Sequence, residues 1–195
     1  MRREVTGNPG RDPYKVRGDD LYETPPQAIE ALLHWENTLP ARIWEPAAGR
    51  GSIANVLRRW GHTVYASDLV DYSVESQHSG EDFLLAYGPP IGCSCIVTNP
   101  PYKLATKFAR HALTLVPKVY MLLRLAFLEG TTRDDVLDKL ARVYVFKNRL
   151  PRMHRDGWDG PKATSTMAFA WFVWDRDDER DTYSQGIELR RIKWE

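Results

Sequence analysis

Cysteine is scarce in this 195-residue sequence, and its two copies, Cys93 and Cys95, stand two positions apart in an apolar stretch. That spacing is too short for a useful structural disulfide, and no other ligands lie at zinc-site spacing, so the expected state is a reduced pair in the core and no metal. Long apolar runs are missing too: no uncharged stretch approaches the roughly 20 residues a membrane helix needs. The opening MRREVTGNPGRDPYK is polar where a secretory leader would be apolar. No membrane partner is expected, and a cytoplasmic location is. Charge of one sign is also lacking, since 27 basic residues against 26 acidic ones leave a net +1. This excludes a strongly cationic protein that coats DNA, so any contact with nucleic acid has to be local.

What is present is ordinary for a globular chain, with 43% apolar and 27% charged residues. The length predicts one domain with a sizeable core. Residues 1–20, rich in Gly, Pro, Arg and Asp, read as a flexible arm, and 21–195 as the folded unit. YETPPQAIEALLHW then takes helical periodicity, with Ile29, Leu32, Leu33 and Trp35 or Leu39 as its apolar stripe. Thr24 has the chemistry of an N-cap, Pro25 suits the first helical position, and Gln27 completes a capping-box pattern.

Strands and helices then alternate. ARIWE (41–45), TVYAS (63–67), SCIVT (94–98), KVYMLLR (118–124), RVYVFK (142–147) and MAFAWFVW (167–174) read as strands, and helices are expected over 52–60, after NPPY, and around 134–140. Segment 71–92 is irregular. Continuously apolar strands between helices indicate a mostly parallel sheet covered on both faces, which binds ligands at its carboxyl edge. Glu45, Asp68 and Asn99 each fall just past a strand's C-terminal end.

EPAAGRGS follows one of these strands and opens a helix. Gly49 and Gly51 allow a tight turn and close backbone approach to a ligand, and Asp68, 17 positions after Gly51, stands where nucleotide-binding sheets place a ribose-binding carboxylate. The spacing lacks the third glycine that a dinucleotide pyrophosphate wants, and Glu45 would repel phosphate. S-adenosylmethionine has a ribose, an adenine, an amino group and a sulfonium but no phosphate, and fits that sign.

The run IVTNPPYKLATKF ends a buried strand on an amide, two rigid prolines and an aromatic ring. Pro100 and Pro101 can extend neither strand nor helix. With a methyl donor beside it, the run has a chemical use. An exocyclic amine on a planar conjugated centre is weakly nucleophilic. The Asn99 side-chain carbonyl and the Pro100 backbone carbonyl can each accept one of its N–H bonds and hold its lone pair in line. Tyr102 can stack on the planar group. The alternative is a plain strand-ending turn.

In its order of TPPQ, EPAAGRGS, SDL, GEDF and NPPY, over about residues 20–175, the chain resembles the Rossmann-like class I S-adenosylmethionine-dependent methyltransferases. Within them it is similar to the amino-methyltransferase branch marked by [DNS]-P-P-[YFW], and to small phage and prophage-borne DNA adenine-N6 methyltransferases. The resemblance implies an α/β sandwich whose mostly parallel sheet has an antiparallel last strand. It implies that Thr24, Glu45, Gly49 and Gly51 hold the methionine part, Asp68 the ribose, and Asp82 with Phe83 the adenine, with Ala47 and Leu69 also at the cofactor. Asn99, Pro100, Pro101 and Tyr102 would be catalytic. Two departures stand out: 71–81 is too short for a full helix and third strand, and no recognition domain follows NPPY, so sequence specificity should be modest.

The segment KNRLPRMHRDGWDGPK (147–162) interleaves basic residues with an aromatic, as phosphate neutralisation and base stacking require. Arg149, Arg152, His154, Arg155, Trp158 and Lys162 are its candidate substrate contacts, within a loop of about 148–166; the plain alternative is a solvated loop. Trp171 and Trp174 read as packing. The activity expected is transfer to adenine N6, in DNA ahead of RNA. The rivals are a protein glutamine amide and a catalytically silent module that only binds cofactor. Cytosine-C5 transfer would need a nucleophilic cysteine in the active-site loop, where none lies.

Overall fold

The computed structural model describes residues 21–36, 39–151, 153, 166–178 and 186–194. The expected arm at 1–20 and most of the basic loop, including Arg152, His154, Arg155, Trp158 and Lys162, lie outside them.

In chain order the elements are α1 (Pro26–Trp35), β1 (Arg42–Glu45), α2 (Ser52–Arg59), β2 (Thr63–Asp68), β3 (His78–Ser79), β4 (Cys95–Thr98), α3 (Ala105–Leu115), β5 (Lys118–Arg124), α4 (Asp134–Leu137), β6 (Arg142–Phe146), β7 (Phe169–Asp175) and β8 (Glu188–Ile192). All eight strands join one sheet in the order β3-β2-β1-β4-β5-β7-β6-β8. β7 alone runs antiparallel, in register with β5 from Lys118↔Asp175 to Arg124↔Phe169. The expected α/β class and antiparallel strand are both present. An unexpected parallel strand, β8, follows and covers the β6 edge.

The sheet buries two apolar layers. On one face Ile29, Leu32, Ile53 and Leu57 pack with Ile43, Tyr120 and Trp171; on the other, Phe108, Ala112 and Val136 pack with Val119, Phe172 and Trp174. Each large side chain so buried contributes about 1.5–3 kcal/mol. Both tryptophans are fully buried core with their indole donors satisfied, Trp171 by the Ala28 carbonyl at 2.8 Å and Trp174 by that of Val136 at 2.7 Å.

Two local expectations need correction. Pro25, not Thr24, is the N-cap of α1, Pro26 is its first residue, and no side chain caps it. Two successive prolines fix the helix start, which leaves the Thr24 hydroxyl for another partner. Of the two alternatives for the end of the stripe, Leu39 packs against the core and Trp35 is 39% exposed. The helix expected around 134–140 stops at Leu137, after a single turn that follows a 3-10 turn. The short 71–81 segment holds only the two-residue β3 and no helix, as its length implied. Cys93 and Cys95 are free and buried, and burial pushes both thiols up from their ordinary pKa.

At the amino edge of the sheet, Arg142 is held by Glu36 (3.2 Å), Asp175 (2.9 Å) and Asp178 (2.7 Å), and the Tyr144 hydroxyl also donates to Glu36. This network ties the end of α1 to β6 and β7. The carboxyl edge, where the strand order reverses between β1 and β4, carries the candidate site. Among the described residues no helix is long and apolar enough to cross a membrane, and no cluster of His, Cys, Asp or Glu is placed to hold a metal ion.

Candidate active site at the switch point of the sheet

The glycine loop turns because two of its residues take left-handed backbone. Gly49 has φ +55° and Gly51, the N-cap of α2, has φ +82°. The turn aims the Gly49 N–H at Asp68 Oδ2 (2.8 Å), while Asp68 Oδ1 accepts from the Val70 N–H (2.9 Å). Asp68 thus braces the loop from the end of β2. A Cβ on Gly49 would stand 2.5 Å from Leu21 Cδ1, so the chain before α1 lies directly over the loop.

A cavity of about 250 Å³ opens here. Glu45, Ala47 and Gly49 line it from β1 and the loop, and Asp68 and Leu69 from the end of β2. Asp82 and Phe83 close one side, and Thr24, Asn99 and Pro101 the other. Ten of the thirteen residues singled out as cofactor-binding or catalytic therefore meet at one place; Gly51, Pro100 and Tyr102 are not part of its lining. Asp82 spends its side chain on the Leu84 N–H (2.9 Å), and Phe83 is buried against Trp44 and Phe108.

Glu45 is the most unusual group in the cavity. It is 1% exposed, and its Oε2 has no hydrogen-bond partner. Burial pushes its carboxyl well above the ordinary range, against the pull of the Ala54 backbone and the Arg58 guanidinium, and with Asp68 adding to the rise. A buried acid aimed into a cavity with an unused oxygen suits an amino or ammonium group.

Asn99 stands beside it. Its amide NH2 donates to Thr24 Oγ1 (3.0 Å), to the Tyr22 carbonyl (3.3 Å) and, weakly, to Met153 sulfur (3.8 Å). With its donor side taken, Asn99 Oδ1 is left buried and without a partner. The prolines make this rigid: Pro101 caps a 3-10 turn, Tyr102–Leu104, that leads into α3, and its carbonyl accepts the Leu104 N–H at 2.8 Å. The Tyr102 ring is contacted by Tyr22 (centroids 5.6 Å apart, stacked), Phe169 (5.8 Å) and the Arg124 guanidinium (4.7 Å), and its hydroxyl donates to Met153 sulfur at 3.4 Å.

Sequence reasoning missed Tyr22, Met153 and Arg124. Leu150 and Met153 are buried apolar residues inside a basic segment, and that spacing was the available sign that the loop returns to the site. Arg149, the one described member of the expected substrate contacts, is exposed and lies outside the cavity lining.

No family model matches this sequence, and no curated protein matches it significantly. Solved structures do. The methyltransferase subunit of a type I restriction-modification system from Streptococcus thermophilus superposes with a TM-score of 0.59 at 12% identity, over 88% of this chain and 47% of that one. A protein assigned as an RNA methyltransferase from Pyrococcus horikoshii gives 0.58 at 11% identity, over 79% and 86%. Magnesium protoporphyrin IX methyltransferase from Synechocystis, solved with bound SAM, gives 0.50 at 13% identity, over 77% and 79%. This is the Rossmann-like fold of methyltransferases. The chain spans about half the length of the type I subunit it matches.

Proposed function

We propose that this protein transfers a methyl group from S-adenosylmethionine to an exocyclic amino group, adenine N6 in nucleic acid, with DNA ahead of RNA. The observation that carries the reading is the Asn99 amide. Thr24 and Tyr22 take its donor half, so its one unpartnered atom is a buried acceptor, Oδ1, on a residue that lines the cavity by the glycine loop. An amine presents N–H bonds to such an atom. With the neighbouring Pro100 carbonyl taking the second N–H, the two acceptors bias the nitrogen toward pyramidal geometry and fix its lone pair.

The residues present fit the cofactor. Glu45 Oε2 is a buried, unused acceptor for an amino group, and the Asp68 carboxylate lines the same cavity, where ribose hydroxyls could donate to it. Phe83 with Leu69 offers apolar walls for an adenine. S-adenosylmethionine supplies, when bound, an electrophilic methyl group on its sulfonium. Tyr102, next to Asn99 in the NPPY run, would present an aromatic edge to the target ring, in keeping with the resemblance to the NPPY branch. The folded unit from residue 21 onward would act as one methyltransferase domain, with Arg149, Arg152, His154, Arg155, Trp158 and Lys162 on its substrate loop. Likeness to a restriction-modification subunit and to an assigned RNA methyltransferase supports nucleic acid as the substrate class.

The test is incubation with methyl-labelled cofactor and separate pools of DNA, RNA and protein, followed by identification of the modified unit. N6-methyladenine in DNA is expected. Label confined to glutamine in the protein pool would replace adenine by a side-chain amide, and cofactor binding without transfer to any pool would leave a silent binding module.

A further inference from the structure

Behind Tyr102, away from the cofactor cavity, two arginines face a second hollow. Arg124 ends β5 and Arg133 precedes α4, and with Tyr102 and Phe127 they line a cavity of about 170 Å³. The Arg124 guanidinium lies 4.7 Å from the Tyr102 ring centroid and that of Arg133 lies 4.6 Å from the Phe127 ring. Among the described residues neither has a carboxylate partner. Among the described residues the Arg124 guanidinium has no hydrogen-bond partner, and that of Arg133 has one, the Phe127 carbonyl at 3.3 Å. The Nε of each is buried and unpartnered. Asp135, two residues beyond Arg133, is already bound to Arg110 at 2.6 and 2.8 Å.

Two half-buried cations around one cavity repel each other and lose hydration that a ring contact apiece and one carbonyl only partly replace, which costs free energy unless an anion joins them. A hollow of this size holds the volume of about five waters. It falls below the range of roughly 300 Å³ and more typical of whole-ligand pockets. It suits a single anionic group, and guanidinium forks match phosphate oxygens in particular. We propose that Arg124 and Arg133 form a phosphate subsite that takes a backbone phosphodiester next to the target nucleotide while the target ring is held against Tyr102. The inference rests on the nucleic-acid reading above and deepens it, because a peptide substrate would bring no phosphate to this place.

The test pairs Arg133→Gln and Arg133→Lys with short single-stranded oligonucleotides holding one adenine, in which each phosphate around it is replaced in turn by an uncharged methylphosphonate. For the wild type, one linkage should stand out, its replacement raising KM about tenfold or more, as loss of a charge-assisted contact does. R133Q should raise KM on the unmodified strand by a similar factor, should lose nothing further on the strand modified at that linkage, and should lower the salt slope by about 0.7. R133K should recover part of the loss, and both variants should bind cofactor as the wild type does. A wild type for which no linkage stands out, or an R133Q effect that multiplies with that of every linkage, would overturn the subsite while leaving adenine methylation in place. A wild type that methylates neither DNA nor RNA strands would overturn both.

Discussion

Replacing Asn99 with alanine separates two roles that one amide plays. Its NH2 fastens the chain before α1 through Thr24 Oγ1 at 3.0 Å and the Tyr22 carbonyl at 3.3 Å. Its oxygen is the free acceptor. Losing the two anchoring bonds should cost about 1 kcal/mol each, so the folded state should lose about 1–2 kcal/mol. For a chain of this length that lowers Tm by about 2–8 °C. Losing the acceptor acts on turnover instead: by analogy with removal of a single oxyanion-hole group, kcat should fall by about 100- to 1000-fold. Asn99→Asp keeps the shape but sets an oxygen against the Tyr22 carbonyl, so it should lose stability as well as activity. The assay is single-turnover transfer of labelled methyl to an adenine-containing strand at saturating cofactor, with cofactor affinity measured separately by calorimetry. Turnover of Asn99→Ala close to the wild type would remove Asn99 from the chemistry. A loss of cofactor affinity as large as the loss of turnover would move it into the cofactor site.

Glu45→Gln tests the buried acid through pH. The folded protein holds this proton above the unfolded carboxyl's pKa, so stability without ligand should be fullest at low pH and decline as pH rises from about 4.5 through the raised value. The variant should lack this decline in melts between pH 5 and 8 and should bind cofactor about tenfold more weakly, as loss of a charge-assisted contact implies; an unchanged slope would refute the assignment. Gly49→Ala should cost about 1–2 kcal/mol from its left-handed φ of +55° and should displace Leu21, read as lower Tm and weaker cofactor binding. Arg142→Met takes the guanidinium from Glu36 and Asp175, at 6% and 7% side-chain exposure, and leaves them the Tyr144 hydroxyl and the Lys118 ammonium, so it should cost about 2–3 kcal/mol in urea unfolding, below the loss of a wholly unpaired buried charge. Lying at the opposite edge of the sheet from Asn99, it should leave cofactor affinity unchanged in the fraction that remains folded.

The sequence by itself determined the order of elements, because apolar strands and amphipathic helices differ in period and length, and Gly and Pro mark their ends. It also singled out three strand ends that line one cavity: Glu45, Asp68 and Asn99 each close an apolar run, and the doubly wound sheet brings such ends together at one edge. It did not disclose β8, since Glu188–Ile192 has three exposed positions and two charges in its middle, so its pairing with β6 leaves no clear alternation to read. Nor did it give the right role for Thr24, which has the chemistry of a cap but, with Pro25 and Pro26 setting the helix start, turns its hydroxyl to Asn99 instead.

Only the tertiary structure decided how contacts separated by long stretches of chain polarise the site. Asn99 and Thr24 are 75 residues apart, and nothing local in either says that one half of the amide will be occupied and the other left open. Arg124 and Arg133 read as two unrelated cations until β5 and the turn after it set them around one hollow beside Tyr102. Periodicity and turn chemistry are local and can be read along the chain. Which polar atom remains unpaired after burial depends on every neighbour the fold brings to it, and that is where this protein's candidate chemistry lies.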